Sequence, residues 1–166
     1  MDFTLRPYRA TDFERLWQID QMCFAEGIAY TQMELSGFIT RRNAITIVAE
    51  SITSTEPTRK NQPAGKPTPT DAIAGYAIAQ PFRKTGRIVT LDVLPTARRH
   101  GLGSKLILAC EDRLRRRGCN DVYLETAVDN EPALKLYHKM GYAILRTLPA
   151  YYHAQALDAF LLGKTL

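Results

Sequence analysis

The chain has 166 residues, of which 45% are hydrophobic and 23% are charged, and its formal net charge is +5. These values are ordinary for one soluble globular domain over residues 1–166. No long uncharged apolar run is present, which excludes a transmembrane helix and a membrane partner. Because residues 1–15 lack an apolar segment of the signal-peptide type, we expect a cytoplasmic protein.

The cysteines and histidines predict neither disulfide bonds nor a metal site. The three cysteines are odd in number and contain no Cys-x-x-Cys pair, so neither a disulfide framework nor a zinc site is expected. The three histidines lack the spacing of metal ligands, and we therefore expect no metal.

The first predicted elements are a strand over residues 3–7 and a helix over residues 11–24, with Thr11 as its N-cap. A second short helix is predicted over residues 32–40. Residues 45–50 are rich in β-branched side chains and predict a strand.

Residues 51–71 have a different composition. They contain four prolines, many serines and threonines, and almost no apolar side chains, so they cannot bury enough surface to offset the entropy of ordering. We expect a flexible insertion in a hairpin, because strand-like residues resume directly afterwards. A linker between two domains is the alternative, but the preceding part is short for an independent core.

The second half of the chain alternates between predicted strands and helices. Strands are expected over residues 72–80 and 87–93, and an amphipathic helix over residues 102–117. A strand over residues 122–125 and a helix over residues 130–140, capped by Asn130, come next. Strands over residues 142–148 and 156–162 follow. This mixed order predicts a central sheet flanked by helices.

A glycine-rich turn joins the strand that ends at Val93 to the next helix. Residues 98–103 read Arg-x-x-Gly-x-Gly, which fits neither a Walker loop nor the dinucleotide fingerprint. Glycines let a ligand approach the backbone N–H groups of a helix N-terminus, and phosphate suits such a site. A helix start whose glycines only turn the chain is the alternative, and the spacing alone does not separate the two.

The surrounding residues carry a family resemblance. From Val93, the pattern Val-x-Pro-x-x-Arg-x-x-Gly-x-Gly resembles the acetyl-coenzyme A (acetyl-CoA) signature of the GNAT acetyltransferase superfamily. Residues 124–126, 130, 133–137 and 140–142 resemble the later GNAT motif. Residues 151–152 and 158–160 resemble the C-terminal end of protein N-terminal acetyltransferases, most of all the ribosomal-protein-alanine (RimI) type. The likeness is weaker before Ile88 and leaves out residues 51–71.

The resemblance implies a GNAT-like α/β fold, with a mixed, mostly antiparallel twisted sheet flanked by about four helices. It implies acetyl-CoA as co-substrate and acetyl transfer by direct attack of an amine in a ternary complex. Glu125 would be the general base and Tyr137 the general acid, and Asn130 would contact the cofactor near the reacting end. The remaining implied cofactor contacts are the backbone of Leu91, Asp92 and Val93 for the pantetheine arm, Arg99, His100, Gly101, Leu102, Gly103 and Ser104 for the pyrophosphate, and Arg98 for added charge.

The implied roles of Glu125 and Tyr137 agree with the ordinary pKa values of the reacting groups. An α-amine has a pKa of about 7.7–8.0, so a carboxylate that accepts its proton helps the attack near neutral pH. A phenol of pKa about 10 can protonate a leaving thiolate or stabilise it by hydrogen bonding. From the residues alone, Glu125 could equally be a solvent-exposed strand-end carboxylate, Asn130 a simple N-cap and Tyr137 a core tyrosine.

The acceptor is less defined than the donor. The RimI type usually has an arginine shortly after the strand glutamate, and here Thr126 and Ala127 follow Glu125. A protein N-terminal α-amine is the expected acceptor, with a small amine or an amino acid as the alternative. A non-catalytic domain that binds coenzyme A or nucleic acid is a further alternative, although nucleic acid is not expected. Arg115, Arg116 and Arg117 are interpreted as a solvated helix end rather than a binding patch.

Overall fold

The computed structural model describes residues 1–52 and 72–166. Within these residues the chain forms seven strands and four α-helices. The elements before the gap are β1 (Asp2–Pro7), α1 (Phe13–Cys23), α2 (Gln32–Thr40) and β2 (Ile45–Ile52). The elements after it are β3 (Ile73–Phe82), β4 (Thr85–Val93), α3 (Leu102–Arg116), β5 (Asp121–Ala127), α4 (Glu131–Lys139), β6 (Ala143–Tyr152) and β7 (Leu157–Thr165).

The strands form one sheet in the order β1-β2-β3-β4-β5-β7-β6. Five of the six neighbouring pairs in the described part of the chain are antiparallel, and β4 and β5 are the parallel pair. The prediction of a mixed, mostly antiparallel sheet with four flanking helices is therefore confirmed.

Both faces of the sheet centre are covered by helices. On β3, the small side chains Ala77 and Ala79 face α3, whereas Tyr76 and Ile78 face α1 and α2. This alternation follows from the two-residue period of a strand. It explains why residues 73–79 are buried without interruption and read as a continuous apolar run.

The entry into α1 differs from the prediction. Thr11 is not the N-cap, because residues Ala10–Asp12 form a short 3₁₀ turn and α1 begins at Phe13. The buried Asp12 carboxylate accepts hydrogen bonds from Arg6 Nη1 at 2.7 Å and from the Arg9 backbone N–H at 2.8 Å. The turn is therefore held by a contact to β1 that local spacing does not reveal.

The insertion predicted over residues 51–71 falls almost wholly outside the described residues. Ser51 and Ile52 belong to β2, so the strand runs two residues further than the sequence predicted. Residues 53–71 are not described, and both the insertion and the single domain remain predictions. Among the helices of the described ranges, none is long and apolar enough to cross a membrane.

Candidate active site

A cleft opens where β4 and β5 separate. The two strands pair over three residues each, Thr85–Arg87 on β4 with residues 121–123 on β5. Beyond that point β4 stays paired with β3, and β5 stays paired with β7. The resulting cleft has a volume of about 2500 Å³. Small-molecule sites typically measure about 300–1,000 Å³, so this cleft has room for an extended ligand and a second substrate.

A β-bulge accompanies the separation. Ile88 pairs with Ala79 and Thr90 pairs with Ile78, which leaves Val89 as an extra residue on β4. A bulge bends its strand and increases the local twist, and this one lies just beyond the last residue paired with β5. The bulge therefore helps to direct the rest of β4 away from β5.

The end of β4 directs backbone groups into the gap. The Leu94 N–H donates to the Ala74 carbonyl across β3 at 2.9 Å. Because successive peptide groups alternate in direction, those of Leu91 and Val93 face away from β3 and toward the cleft. The Val93 carbonyl there accepts a hydrogen bond from Arg98 Nε at 3.0 Å. The Leu91 peptide group is thus available on an open strand edge for pairing with an amide-containing ligand.

Two residues predicted to bind the cofactor do not line the cleft. Asp92 is fully buried on the side of β4 that faces α1, and its carboxylate accepts a hydrogen bond from Thr90 Oγ1 at 2.6 Å. Its carbonyl oxygen points toward Gly75 on β3. His100 is exposed, and its Nδ1 lies 2.8 Å from the Arg98 carbonyl oxygen.

The glycine-rich turn leads directly into α3. Arg99 and Gly101 have φ angles of 68° and 77°, and Gly101 is the N-cap residue of the helix. The first turn of α3 carries no acidic side chain, so its unpaired N–H groups and the positive end of the helix dipole favour an anion. The other predicted cofactor residues do line this cleft: Leu91, Val93, Arg98, Arg99, Gly101, Leu102, Gly103, Ser104 and Asn130.

Gly103 has a packing role as well. A Cβ built on Gly103 would lie 2.9 Å from Leu136 Cδ2 on α4. The absence of a side chain therefore allows α3 and α4 to approach each other at the edge of the cleft. The sequence predicts ligand approach or a simple chain turn for this glycine, and the contact with Leu136 is a packing role that it does not reveal.

Glu125 lies on β5 inside the cleft, in contact with a cation. Its Oε2 is 3.0 Å from Arg87 Nε, and the carboxylate side chain is 17% exposed. The same guanidinium donates through Nη2 to the Tyr151 hydroxyl at 3.3 Å. Burial lowers the pKa of Arg87, but the charge of Glu125 and its hydrogen bond outweigh this, so the pKa is raised overall and Arg87 remains cationic.

Asn130 and Tyr137 enter the cleft from the two ends of α4. Asn130 is the N-cap, because its Oδ1 accepts from the Ala133 N–H at 3.4 Å. Its Nδ2 donates to Thr126 Oγ1 at 3.4 Å, which links the cap to β5. Tyr137 lines the cleft although it is only 7% exposed, and burial raises the pKa of its phenol. Asn130 is therefore an N-cap and Tyr137 a buried tyrosine, and their roles at the cofactor remain predictions.

The wall opposite α4 is formed by the loop between α1 and α2. Its residue Tyr30 lines the cleft and donates its hydroxyl to the Val89 carbonyl at 3.3 Å. The Tyr30 backbone N–H donates to Asp20 Oδ2 at 2.7 Å, and its carbonyl accepts from Trp17 Nε1 at 3.1 Å and Gln21 Nε2 at 2.9 Å. Side chains of α1 therefore hold the Tyr30 peptide groups from both sides.

This loop meets the turn between β6 and β7. Gln155 Nε2 donates a hydrogen bond to the Glu26 carbonyl oxygen. Gly27 has a φ angle of 84°, and a Cβ built there would lie 2.8 Å from Ala154 Cβ. The two segments thus touch along the cleft, and a glycine is needed at their contact.

Sequence reasoning missed three residues that shape this site. Arg87 had one usable signal, since it is the one basic residue of the strand that ends at Val93. Asp20 and Tyr30 had no such signal in the sequence, because their contact depends on how the loop after α1 folds back onto that helix.

The comparisons with known proteins agree with this geometry. Residues 61–142 match the family described as "Acetyltransferase (GNAT) family". An N-alpha-acetyltransferase of Sulfurisphaera tokodaii is 37% identical over 84 residues, which cover 50% of each chain. The chain thus spans about half the length of this curated relative in the alignment.

Solved structures cover the whole chain. A structure of the NatC complex bound to Gag peptide and CoA has a chain that superposes with a TM-score of 0.79 and 25% identity, over 100% of this chain and 99% of that one. The ribosomal-protein-S18-alanine N-acetyltransferase from Escherichia coli gives a TM-score of 0.78 at 19% identity, over 99% and 94% of the two chains. At that identity the likeness shows the fold alone, and the RimI type is not confirmed.

The sheet that splits between β4 and β5, with a glycine turn and helix N-terminus at the split, defines the GNAT fold. The match over residues 61–142 makes the chain similar to the GNAT acetyltransferase family in sequence, and the superposition with the NatC chain shows the same fold along its length.

Proposed function

We propose that this protein transfers the acetyl group of acetyl-CoA to an amine, and that the amine is the N-terminal α-amine of a protein. The observation that carries the proposal is the single cleft shared by the open edge of β4, the N-terminus of α3, Glu125 and Tyr137. This cleft combines a surface that suits a ligand with phosphate and amide groups and side chains that can act as acid and base.

The donor side suits the chemistry of coenzyme A. The Leu91 peptide group and the Val93 N–H form an edge that a pantetheine amide can pair with, as an added strand would. The turn that carries Arg99 and Gly101 presents N–H groups and positive charge to a pyrophosphate. The bound co-substrate supplies a thioester whose acetyl group an amine can accept.

Glu125 is proposed to take the proton of the acceptor ammonium, directly or through water. Its ion pair with Arg87 fixes the direction of the carboxylate through Oε2 and leaves Oε1 without a contact to a described side chain. Arg87 is proposed as a positioning residue, because it also holds the Tyr151 hydroxyl beside the carboxylate. Neutralising the acceptor ammonium is needed because only the free amine is nucleophilic.

Tyr137 is proposed to donate a proton or a hydrogen bond to the departing thiolate. Burial raises the pKa of its phenol, so the hydroxyl keeps its proton throughout the working pH range. A neutral donor beside a thiol of ordinary pKa, about 8.5, can stabilise the thiolate as it forms.

The acceptor side favours a chain end over the middle of a chain. The contacts of Gly27 and Gln155 connect the α1–α2 loop to the β6–β7 turn and limit the width of the entrance. A terminal α-amine in extended backbone enters such an opening more easily than a side chain of a folded surface does. The S. tokodaii relative is named an N-alpha-acetyltransferase, and the NatC structure contains a peptide, which supports the same acceptor class.

The test is acetyl-CoA-dependent thiol release with three acceptor classes. These are short peptides with free N-termini, the same peptides with a blocked N-terminus and an internal lysine, and a panel of small amines and amino acids. We expect turnover with the free N-termini only. Preference for a small amine would replace the peptide acceptor, and coenzyme A binding without turnover on any acceptor would overturn the catalytic proposal.

A further inference from the structure

The end of the molecule opposite the cleft is strongly basic. Three turns converge there: the turn from α2 to β2, the hairpin from β3 to β4, and the turn from α3 to β5. The "basic end" is defined by the cations on these turns: Arg41, Arg42, Arg83, Lys84, Arg115, Arg116 and Arg117.

The sheet register shows that these turns are neighbours. Ile45 at the start of β2 pairs with Ala79 near the end of β3, and Thr85 at the start of β4 pairs with Asp121 at the start of β5. The Asn120 N–H donates to the Lys84 carbonyl at 2.6 Å, which joins the hairpin to the turn after α3. Arg41 Nη1 lies 3.4 Å from Gln80 Oε1, which joins the α2 turn to the same hairpin.

Nearby carboxylates neutralise only part of this charge. Asp112 pairs with Arg116 at 3.0 Å, and the buried Glu111 lies 3.6 Å from Arg115 but is also paired with Lys164. The Asp121 carboxylate accepts from the Thr165 hydroxyl at 3.1 Å. Within residues 1–52 and 72–166, the cations Arg42, Arg83, Lys84 and Arg117 form no ion pair. Crowded like charges repel one another, so a polyanion that neutralises them is favoured.

An exposed aromatic ring lies among these cations. Phe82 is 70% exposed at the tip of the β3–β4 hairpin, and Arg83 Cζ is 5.5 Å from the centroid of its ring. An exposed ring flanked by a guanidinium is the arrangement on which an unpaired nucleotide base stacks.

The sequence predicts neither a nucleic-acid partner nor a binding patch at residues 115–117. In contrast to that prediction, we propose that the basic end binds RNA, with its arginines on the phosphates and Phe82 on an unpaired base. Six of the seven cations of the basic end are arginines, and one is a lysine. The planar guanidinium of arginine can bind phosphate oxygens and can also stack on a base. A membrane surface is less well matched, because the described residues of this patch offer one exposed apolar ring, and the apolar face of α3 is buried against the sheet. The site is separate from the acetyl-CoA cleft, since α3 spans about 22 Å between them.

The experiment measures binding of a labelled 20-nucleotide single-stranded RNA to the full chain over a series of salt concentrations. The test variant is Lys84→Gln/Arg117→Gln, since neither side chain makes an ion pair in the described chain. The matched control is Lys135→Gln/Arg146→Gln, which removes the same charge from exposed positions on α4 and β6. Phe82→Ala tests stacking separately, and anionic phospholipid vesicles replace the RNA in a parallel arm.

We expect the test variant to weaken RNA binding at least fivefold and to reduce the salt slope by about 1.4, while the control changes binding less than about twofold. Phe82→Ala should weaken binding roughly tenfold. Acetyl transfer to a short peptide should be unaffected by any of these changes. Equal losses in test and control variants, no RNA binding at low salt, or binding to vesicles but not to RNA would each overturn the proposal.

Discussion

The Nε of Arg87 lies 3.0 Å from Oε2 of Glu125, in the cleft where β4 and β5 separate. Arg87 is the last residue of β4 that pairs with β5, opposite Tyr123, and Glu125 lies two residues further along β5. The proposed general base is therefore held by a cation at the point where the cleft begins. Its role in proton transfer and its role as a counter-charge can be separated by mutation.

Glu125→Gln should lower kcat/KM about 100-fold near neutral pH, because the acceptor ammonium loses its proton acceptor. The loss should shrink at high pH, where the amine loses its proton without help. The measurement is a pH–rate profile of both proteins with the best peptide acceptor, alongside coenzyme A affinity, which should not change.

The double variant Arg87→Gln/Glu125→Gln controls for the unpaired guanidinium that the single change leaves behind. If Glu125 takes the proton, the double variant stays as slow as the single one. If the double variant recovers wild-type rates, Glu125 serves only to neutralise Arg87, and its catalytic role is refuted.

Tyr137→Phe should reduce kcat by about tenfold or more while leaving coenzyme A affinity unchanged, because the hydroxyl acts as the thiolate forms. An acetyl donor whose thiol has a lower pKa should reduce the defect, since its thiolate needs less stabilisation. Steady-state kinetics with both donors provide the measurement.

Tyr142→Phe is the matched control, since the rings of Tyr137 and Tyr142 are 5.9 Å apart. The Tyr142 hydroxyl donates to the buried Glu111 carboxylate at 3.0 Å, away from the proposed chemistry. Its removal should cost about 1 kcal/mol of stability with little effect on kcat. Equal kcat losses in the two variants would indicate that Tyr137 is a packing residue.

Gly103→Asp should lower coenzyme A affinity at least tenfold, about 1.4 kcal/mol, because it adds a negative charge at the proposed phosphate site. Gly103→Ala separates charge from size, since its Cβ meets only the flexible end of Leu136 at 2.9 Å. We expect a smaller loss for alanine in titrations of the folded variants. A loss as large as that of aspartate would mean that helix packing, and not phosphate contact, explains the glycine.

Asp20→Asn should change how stability depends on pH. Burial raises the pKa of Asp20 to about 6, even though the hydrogen bond from the Tyr30 N–H opposes the shift. Between pH 4 and 6 the folded protein holds a proton that the unfolded chain has released, so this residue's contribution to stability falls as the pH rises through that window. Above about pH 6 both states are ionised and the effect is constant.

Relative to wild type, the variant should therefore gain up to about 3 kcal/mol as the pH rises from 4 to 6.5, because each pKa unit corresponds to about 1.4 kcal/mol. Urea unfolding at several pH values measures the difference, and Asp2→Asn, at an exposed position, is the control. Parallel pH profiles for wild type and Asp20→Asn would contradict the shifted titration.

The regular elements were largely predictable, because their signals are local. The prediction for α2 matches the observed bounds, Gln32–Thr40, since Thr31 and Glu34 form a capping box at its start. Asn130 caps α4 as predicted, for the same kind of reason. Thr11 failed as a cap because Asp12 is held by Arg6, a contact between elements.

The sequence by itself determined the element order, the GNAT resemblance and the glycine turn before α3, because each depends on residues close together in the chain. Tertiary structure alone decided that Asp92 faces α1 and not the cleft, since one step along a strand reverses both its side chain and its peptide direction. It also decided that Arg87 meets Glu125 and that Asp20 holds Tyr30. Such contacts between separate elements have no local pattern, because strand register and loop packing bring them about.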